Sequence, residues 1–149
     1  MAAEATKQIE QAIRQLLRED AALGQVEALL RSAPGIGPVT AAVLIGQLPE
    51  LGRTSAKAIA ALAGLAPYNN DSGASRGKRS VRGGRRRIRQ ALYMAAVSIA
   101  RGNSLLAAFH KRLRDAGKPA KVALIATARK LLVTLNAIAR QQTPFLANP

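Results

Sequence analysis

A basic, glycine-rich stretch in the middle of the chain limits what this sequence can fold into. Residues 76–89 hold eight Lys or Arg among fourteen positions and no acid. The stretch is too polar to be buried, yet apolar segments with helical spacing flank it on both sides. Because loops held on a rigid framework commonly carry binding or chemistry, we expect one long basic Gly/Ser/Arg loop between two packed helices.

The composition of this loop favours an anionic ligand. Its glycines would let backbone amides turn toward a phosphate, and its cationic side chains would add charge. Such a run is also typical of a disordered, solvated segment, but this one is tethered at both ends, so we favour contact with nucleic acid. The residues expected to contact DNA or RNA in this stretch are Arg76, Lys78, Arg79, Arg82, Arg85, Arg86, Arg87 and Arg89.

The net charge of +15 is distributed unevenly. Residues 1–31 hold four basic and five acidic residues, whereas residues 32–149 hold nineteen basic and three acidic ones. A field of this size attracts polyanions. There is no apolar run of transmembrane length, no helix with a cationic face opposite aromatic anchors, and no signal-peptide pattern. We therefore expect a cytoplasmic protein whose partner is DNA and not a membrane.

The apolar spacing predicts an all-α fold with about six helices. Apolar residues make up 48% of the chain, but aromatic residues only 3%, so the core should consist of Ala, Leu, Ile and Val, which suits closely packed helices. With one histidine, no cysteine and few acids, we expect no metal site and no cofactor within this chain. The predicted organisation is an N-terminal helix within 1–31, a helical domain over 32–142 and a flexible tail over 143–149.

From residue 54 onward, the helical domain is predicted to contain four helices. The first is capped by Thr54 or Ser55 and runs through Leu65, and the second spans residues 85–101. The third is capped by Ser104, ends at about Asp115 and packs Leu105 inward. The last begins at Pro119, ends at about Gln141 and has Val122 and Ile125 on its buried side.

The predicted N-terminal helix, over residues 2–31, has a seven-residue apolar repeat. Ile9, Leu16, Leu23 and Leu30 form the repeat. One interpretation is a coiled-coil or dimerisation arm that makes the protein a homo-oligomer. The other is an amphipathic helix that folds back on its own domain. The sequence leaves both open.

A tight turn follows this helix at Gly35, Ile36 and Gly37. Pro38 then occupies the first position of the next predicted helix. The pattern matches a helix-hairpin-helix element, whose exposed amides bind a DNA phosphate without reading sequence, while Ile36 would enter the core. An ordinary helix connection that binds nothing is the alternative.

Four motifs occur in a fixed order along the chain. They are Pro-Gly-Ile-Gly-Pro-x-Thr-Ala at 34–41, Ala-x-Leu-Ala-Gly-Leu-Ala-Pro at 60–67, Ser-Gly-x-Ser-Arg-Gly at 72–77 and Arg-Arg-x-Ile-Arg-Gln-Ala-Leu-Tyr-Met-Ala-Ala at 85–96. In this order they resemble the C-terminal domain of insertion-sequence transposases of the 110/116/902 group, which are related to the Piv/MooV DNA invertases. The resemblance covers roughly residues 25 to 140.

This resemblance implies a recombinase in two parts. An N-terminal RuvC-like domain would carry a DEDD tetrad for Mg²⁺, the C-terminal domain would supply a serine that attacks the DNA backbone, and a guide RNA would select the DNA sites. By motif position the serine is Ser72, with Ser75 as the nearby rival. A serine hydroxyl needs activation to become a nucleophile, and metal held on the other domain is the simplest source.

The chain departs from this family pattern because it contains no RuvC-like half. We therefore expect no recombination by the isolated chain, although DNA or RNA binding should survive. Three hypotheses follow. The chain is the serine-bearing part of a transposase, or a non-catalytic helix-hairpin-helix DNA-binding module, or a truncated remnant that associates with intact transposase through residues 2–31.

Overall fold

The computed structural model describes residues 2–66 and 85–146. Throughout these two ranges the regular structure is helical, which confirms the all-α prediction, with seven helices in place of about six. The helices are α1 (Ala2–Glu19), α2 (Ala21–Arg31), α3 (Pro38–Gln47), α4 (Ala56–Leu62), α5 (Arg86–Ala100), α6 (Leu105–Asp115) and α7 (Ala120–Gln141).

The stretch predicted as one helix over residues 2–31 is two helices that meet at Asp20. Asp20 has extended backbone angles (φ −109°, ψ 107°), and its carboxylate accepts hydrogen bonds from the N–H groups of Ala22 at 3.0 Å and Leu23 at 3.2 Å. Aspartate is a strong N-cap because its side chain satisfies amides that have no partner within the helix. The prediction of a continuous helix was wrong because the apolar repeat runs through a residue that begins a second helix.

Helix α1 folds back on its own domain, where it contacts α2 and α3. Leu17 is buried in this contact, whereas Ile9 and Leu16 of the seven-residue repeat are 60% and 59% exposed. Leu30, by contrast, is fully buried in the core, so the residues of the repeat do not form one continuous apolar surface. Association of chains through residues 2–31 stays a prediction.

Helix α7 is the central helix of the core and contacts α2, α4, α5 and α6. Contrary to the expectation that no apolar run reaches transmembrane length, α7 is long and apolar enough to span a membrane by length and composition alone. In the structure, however, Leu131, Leu132 and Leu135 are fully buried against the other helices. The prediction that Val122 and Ile125 face inward was wrong, since they are 49% and 39% exposed.

Val122 and Ile125 are exposed because a different side of α7 faces the core at the start of the helix. The face passes through two small residues, Ala123 and Thr127, both fully buried. Positions four apart share one side of a helix, so the larger neighbours Val122 and Ile125 lie to its sides. Leu105, at the start of α6, was likewise expected to pack but is exposed.

Helix α5 buries the face that its spacing predicts. Ile88, Leu92, Ala95, Ala96 and Ile99 all lie in the core. Helix α6 follows at an angle of 84° and begins at Ser104, whose hydroxyl accepts a hydrogen bond from the Ala107 N–H at 3.2 Å. The predicted cap and end of α6 are therefore confirmed.

Helix α4 ends earlier than predicted, at Leu62 and not Leu65. Gly64 has a positive φ of 73°, the Gly64 N–H donates to the Ala61 carbonyl at 3.1 Å, and the Leu65 N–H donates to the Ala60 carbonyl at 2.8 Å. This is a Schellman motif, in which glycine adopts the left-handed conformation that stops a helix. The chain therefore turns sharply just before the basic segment.

The C-terminal segment makes one specific contact with the start of the domain. The Phe145 N–H donates to the Ser32 hydroxyl at 2.8 Å, and Phe145 packs against the core. The predicted flexible tail over 143–149 thus includes one residue that is docked on the domain. Residues 147–149 lie outside the described ranges.

Candidate nucleic-acid interface

The first turn of α5 presents arginines to solvent. Arg86 and Arg87 are exposed, whereas Ile88 is fully buried and fixes the helix in the core. The first amides of a helix have no partner within the helix and carry partial positive charge. Cations placed there raise the local positive potential further. This end of α5 is therefore a site that favours an anion.

Arg85, at the N-cap of α5, forms an ion pair with Glu50 in the loop after α3. Its Nη1 lies 3.0 Å from Oε1, and its Nη2 lies 2.8 Å from Oε2. These hydrogen bonds from Arg85 lower the pKa of the Glu50 carboxyl from 4.5 to about 2, and the pKa of Arg85 is raised by the same bonds. Contact between Arg85 and DNA stays a prediction, and a phosphate would share this guanidinium with Glu50.

Arg89, one turn further along α5, lies against Gly64. A Cβ atom at Gly64 would be only 2.9 Å from Nη1 of Arg89. The start of α5 is therefore within the reach of one arginine side chain from the end of α4.

Six of the predicted site residues lie outside the described ranges. They are Ser72, Ser75, Arg76, Lys78, Arg79 and Arg82. Their roles stay predictions. Of the predicted contacts, the structure places Arg85, Arg86, Arg87 and Arg89 together on α5, and it places Gly35, Ile36 and Gly37 in a different turn.

The turn between α2 and α3 uses its two glycines differently. Gly35 has a positive φ of 79°, and a Cβ there would lie 2.8 Å from the Ala95 carbonyl oxygen of α5. Gly37 is the N-cap of α3, and a Cβ there would meet nothing within 4 Å. Ile36 is buried in the core as predicted. The interpretation of this turn as a DNA-binding helix-hairpin-helix stays a prediction.

Arginines from α1 and α2, which are not among the predicted site residues, line a cavity beside this turn. Arg14, Arg18 and Arg31 surround a space of about 430 Å³ together with Pro38, the first residue of α3. Arg31 is paired loosely with Glu27 at 3.6 Å. The available signal was the four-residue spacing of Arg14 and Arg18, which places both on one helix face. Locating that face required knowing that α1 folds back.

Asn136 of α7 holds the loop that carries Glu50. Its Oδ1 accepts from the Gly52 N–H at 2.6 Å, and its Nδ2 donates to the Thr54 carbonyl at 3.0 Å. The Arg140 guanidinium donates to the same carbonyl. Asn136 is buried, and the presence of an amide at a core-facing position of α7 was the sequence signal that was missed. By holding this loop, Asn136 helps to position Glu50 beside Arg85.

The described residues do not provide ligands for the Mg²⁺ that the resemblance implies. Within residues 2–66 and 85–146 no three His, Asp or Glu side chains are grouped so that they could hold a metal ion. Glu50 contacts the residue before α5, and both of its carboxylate oxygens accept from Arg85. Apart from this acid, the charged residues described at the start of α5 are arginines.

Comparison with known proteins identifies a matching family model and several similar proteins. The family model described as Transposase IS116/IS110/IS902 family matches residues 27–111. Pilin gene-inverting proteins of Moraxella bovis and Moraxella lacunata are 37% and 38% identical over 142 and 144 residues, covering 93% of this chain and 44% of each relative. An uncharacterized 43.6 kDa protein of insertion element IS110 from Streptomyces coelicolor is 33% identical over 117 residues, covering 77% of this chain and 29% of that protein. The chain spans less than half the length of these relatives.

Proposed function

The chain belongs to the IS116/IS110/IS902 transposase family, and we propose that it is the nucleic-acid-binding, serine-bearing domain of a DNA transposase or invertase. Its partner on this proposal is DNA in the cytoplasm, and a guide RNA would offer the same phosphodiester chemistry. The observation that carries the proposal is the exposure of Arg86 and Arg87 on the first turn of α5, next to Arg89, whose guanidinium lies against Gly64 at the end of α4.

The charges on this turn are available to a ligand. Arg86 and Arg87 form no ion pair with any residue in the described ranges. Guanidinium groups make strong, often paired hydrogen bonds to phosphate, and the free amides at the start of a helix add further donors. Because the phosphate is the same at every position of DNA, contact of these groups with the backbone would not depend on sequence, and we propose such contact.

The proposed chemistry starts from the hydroxyl of Ser72. Its oxygen would attack a backbone phosphorus, forming a serine–phosphorus ester bond while a strand oxygen leaves. The hydroxyl proton must pass to a base, and we place that base, as well as the Mg²⁺ implied by the resemblance, in the part of the transposase that this chain does not span. The isolated chain would then bind without cleaving.

A second candidate is a DNA-binding module in which the serine plays no part. It is favoured by the position of Arg14, Arg18 and Arg31 around the start of α3. These residues would add charge to the amides of the turn at Gly37, as a helix-hairpin-helix contact with phosphate requires. The two candidates differ in which arginines matter most for binding.

The test is a salt series with duplex DNA and the 149-residue chain. Replacing Arg86 and Arg87 with Gln should lower the slope of log affinity against log salt by about 1.8, because each lost phosphate contact removes about 0.9. A control with Lys7→Gln and Lys57→Gln removes the same charge from exposed positions on α1 and α4 and should keep the wild-type slope. An unchanged slope in the arginine variant would refute the proposed interface. A decrease only with Arg14→Gln and Arg18→Gln would favour the second candidate.

A further inference from the structure

A second basic surface forms where α6 packs on α7. Residues 101–130 hold eight Lys or Arg and a single acid, Asp115. All eight cationic residues are exposed. An exposed run of charge is often only a solvated surface, so the arrangement of the charges decides what this surface can do.

Phe109 brings two of these charges together from different helices. The Lys130 Nζ of α7 lies 4.7 Å from the centre of the phenyl ring, and the Arg112 Cζ of α6 lies 6.0 Å from it. A cation near an aromatic ring is attracted by the ring quadrupole. This attraction positions both side chains but leaves their charge intact. We call Phe109, Arg112 and Lys130 the Phe109 cluster.

Within residues 2–66 and 85–146, no acid pairs with the two cations of the Phe109 cluster. The carboxylate of Asp115 accepts from Lys111 at 3.0 Å, and no other acid in the described part of the chain pairs with Arg112 or Lys130. Two like charges held near one ring repel each other, and a phosphate group placed between them would remove that repulsion. The cluster is therefore positioned for an anion before any ligand arrives.

The Phe109 cluster is separated from the arginines at the start of α5 by that helix itself. Arg86 and Arg87 lie at its first turn, whereas α6 follows its last turn at an angle of 84°. The fifteen residues of α5 rise by about 22 Å at 1.5 Å per residue. This distance corresponds to about six base pairs of duplex at 3.4 Å each. The two cationic sites therefore cannot contact the same phosphate.

We propose that the Phe109 cluster is a second binding site for the phosphodiester backbone of duplex DNA. The inference rests on the proposed function, since it assigns DNA as the ligand of both sites. It extends that function because the domain would contact a longer stretch of DNA than the basic segment alone could contact. Arg112 and Lys130 would each contact a phosphate, so binding at this site would not depend on sequence.

The test uses the 149-residue chain with both charges removed, Arg112→Gln and Lys130→Gln. Two lost phosphate contacts should lower the salt slope for duplex DNA by about 1.8. The affinity deficit relative to the wild type should then shrink by roughly tenfold between 50 and 200 mM salt. Arg112→Lys with Lys130→Arg keeps both charges and should keep the wild-type slope, and Lys7→Gln with Lys57→Gln is the control for net charge. Circular dichroism checks that each variant keeps its helices.

The outcomes separate this inference from the proposed function. A lower slope in the Arg112 and Lys130 variant, with both controls unchanged, supports the second site. A wild-type slope in that variant, while Arg86→Gln with Arg87→Gln lowers it, overturns the second site and leaves the proposed function standing. Loss of affinity for a structured RNA without any loss for duplex DNA also overturns it, because the ligand would then be RNA.

Discussion

Arg85 and Glu50 face each other through two parallel hydrogen bonds, one for each carboxylate oxygen. The pair joins the first residue before α5 to the loop between α3 and α4, and Asn136 ties that loop to α7. The loop between α3 and α4, held by α7, therefore fixes the position from which the next arginines of α5 extend into solvent. Both partners remain partly exposed, so the pair defines geometry more than it adds stability.

The Glu50 pair should give stability a specific dependence on pH. The carboxyl has an ordinary pKa of 4.5 and a pKa of about 2 in the folded chain, because Arg85 donates hydrogen bonds to it. Its contribution is then fully present above about pH 4.5 and is lost as the pH falls toward 2. The difference in urea midpoint between wild type and Glu50→Gln should be largest at neutral pH and should disappear near pH 2. A difference that stays constant over this range would contradict the assignment, and Glu4→Gln on α1 serves as the control.

The two glycines of the α2–α3 turn should respond oppositely to serine. Gly35→Ser forces a positive φ on a residue with a Cβ and drives that atom against the Ala95 carbonyl, so it should lower the free energy of unfolding by about 2 kcal/mol or more. Gly37→Ser meets open space and introduces a better N-cap, so stability should stay equal or rise slightly. Urea denaturation of both variants measures this. Equal losses at the two positions would show that the turn is not built as described.

Removing the Asn136 side chain should be costly. Asn136→Ala leaves the Gly52 N–H and the Thr54 carbonyl without the partners that they have in the core, which should lower the free energy of unfolding by about 2 kcal/mol. Thr134→Ala, on the same helix, removes a hydroxyl that donates only to the Lys130 carbonyl of its own helix and should change it by less than about 0.5 kcal/mol. Equal urea midpoints for the two variants would exclude Asn136 as the anchor of the loop.

The proposed nucleophile can be tested by separating binding from cleavage. In a transposase that contains this domain together with its metal-binding part, Ser72→Ala should abolish strand cleavage and leave affinity for DNA within about twofold, because a single hydroxyl adds little to a charge-dominated interface. Ser75→Ala, three residues further along the sequence, is the matched control. Cleavage by the Ser72→Ala variant would contradict the assignment of Ser72 as the nucleophile. Loss of cleavage only in the Ser75→Ala variant would assign the nucleophile to Ser75.

Local signals predicted most of the helical framework. Ser104, Gly64 and Pro119 mark helix boundaries by their own backbone and side-chain preferences, and the apolar spacing of α5 identified its buried face correctly. Such features depend on neighbours within one or two turns. They can therefore be read from the chain without knowledge of its tertiary contacts.

The candidate site was less predictable because it depends on contacts between distant segments. The sequence assigned Arg85 to phosphate, but only the fold brings Glu50 within 2.8 Å of it. Arg14 reaches the start of α3 only because Asp20 ends α1 and lets it fold back. Likewise, the approach of Lys130 to Phe109 depends on how α6 packs on α7. The sequence shows where each charged residue lies along the chain, but not which distant residue it contacts in the fold.

The contact between Gly64 and Arg89 has a consequence for how domains of this kind can diversify. Because the side chain of Arg89 in α5 reaches Gly64 at the end of α4, the helical core fixes the distance that the segment between the two helices must bridge. Doubling the length of such an insert costs only about 0.6 kcal/mol in closure entropy. Segments of different length are thus compatible with the same helical framework at a small cost in stability.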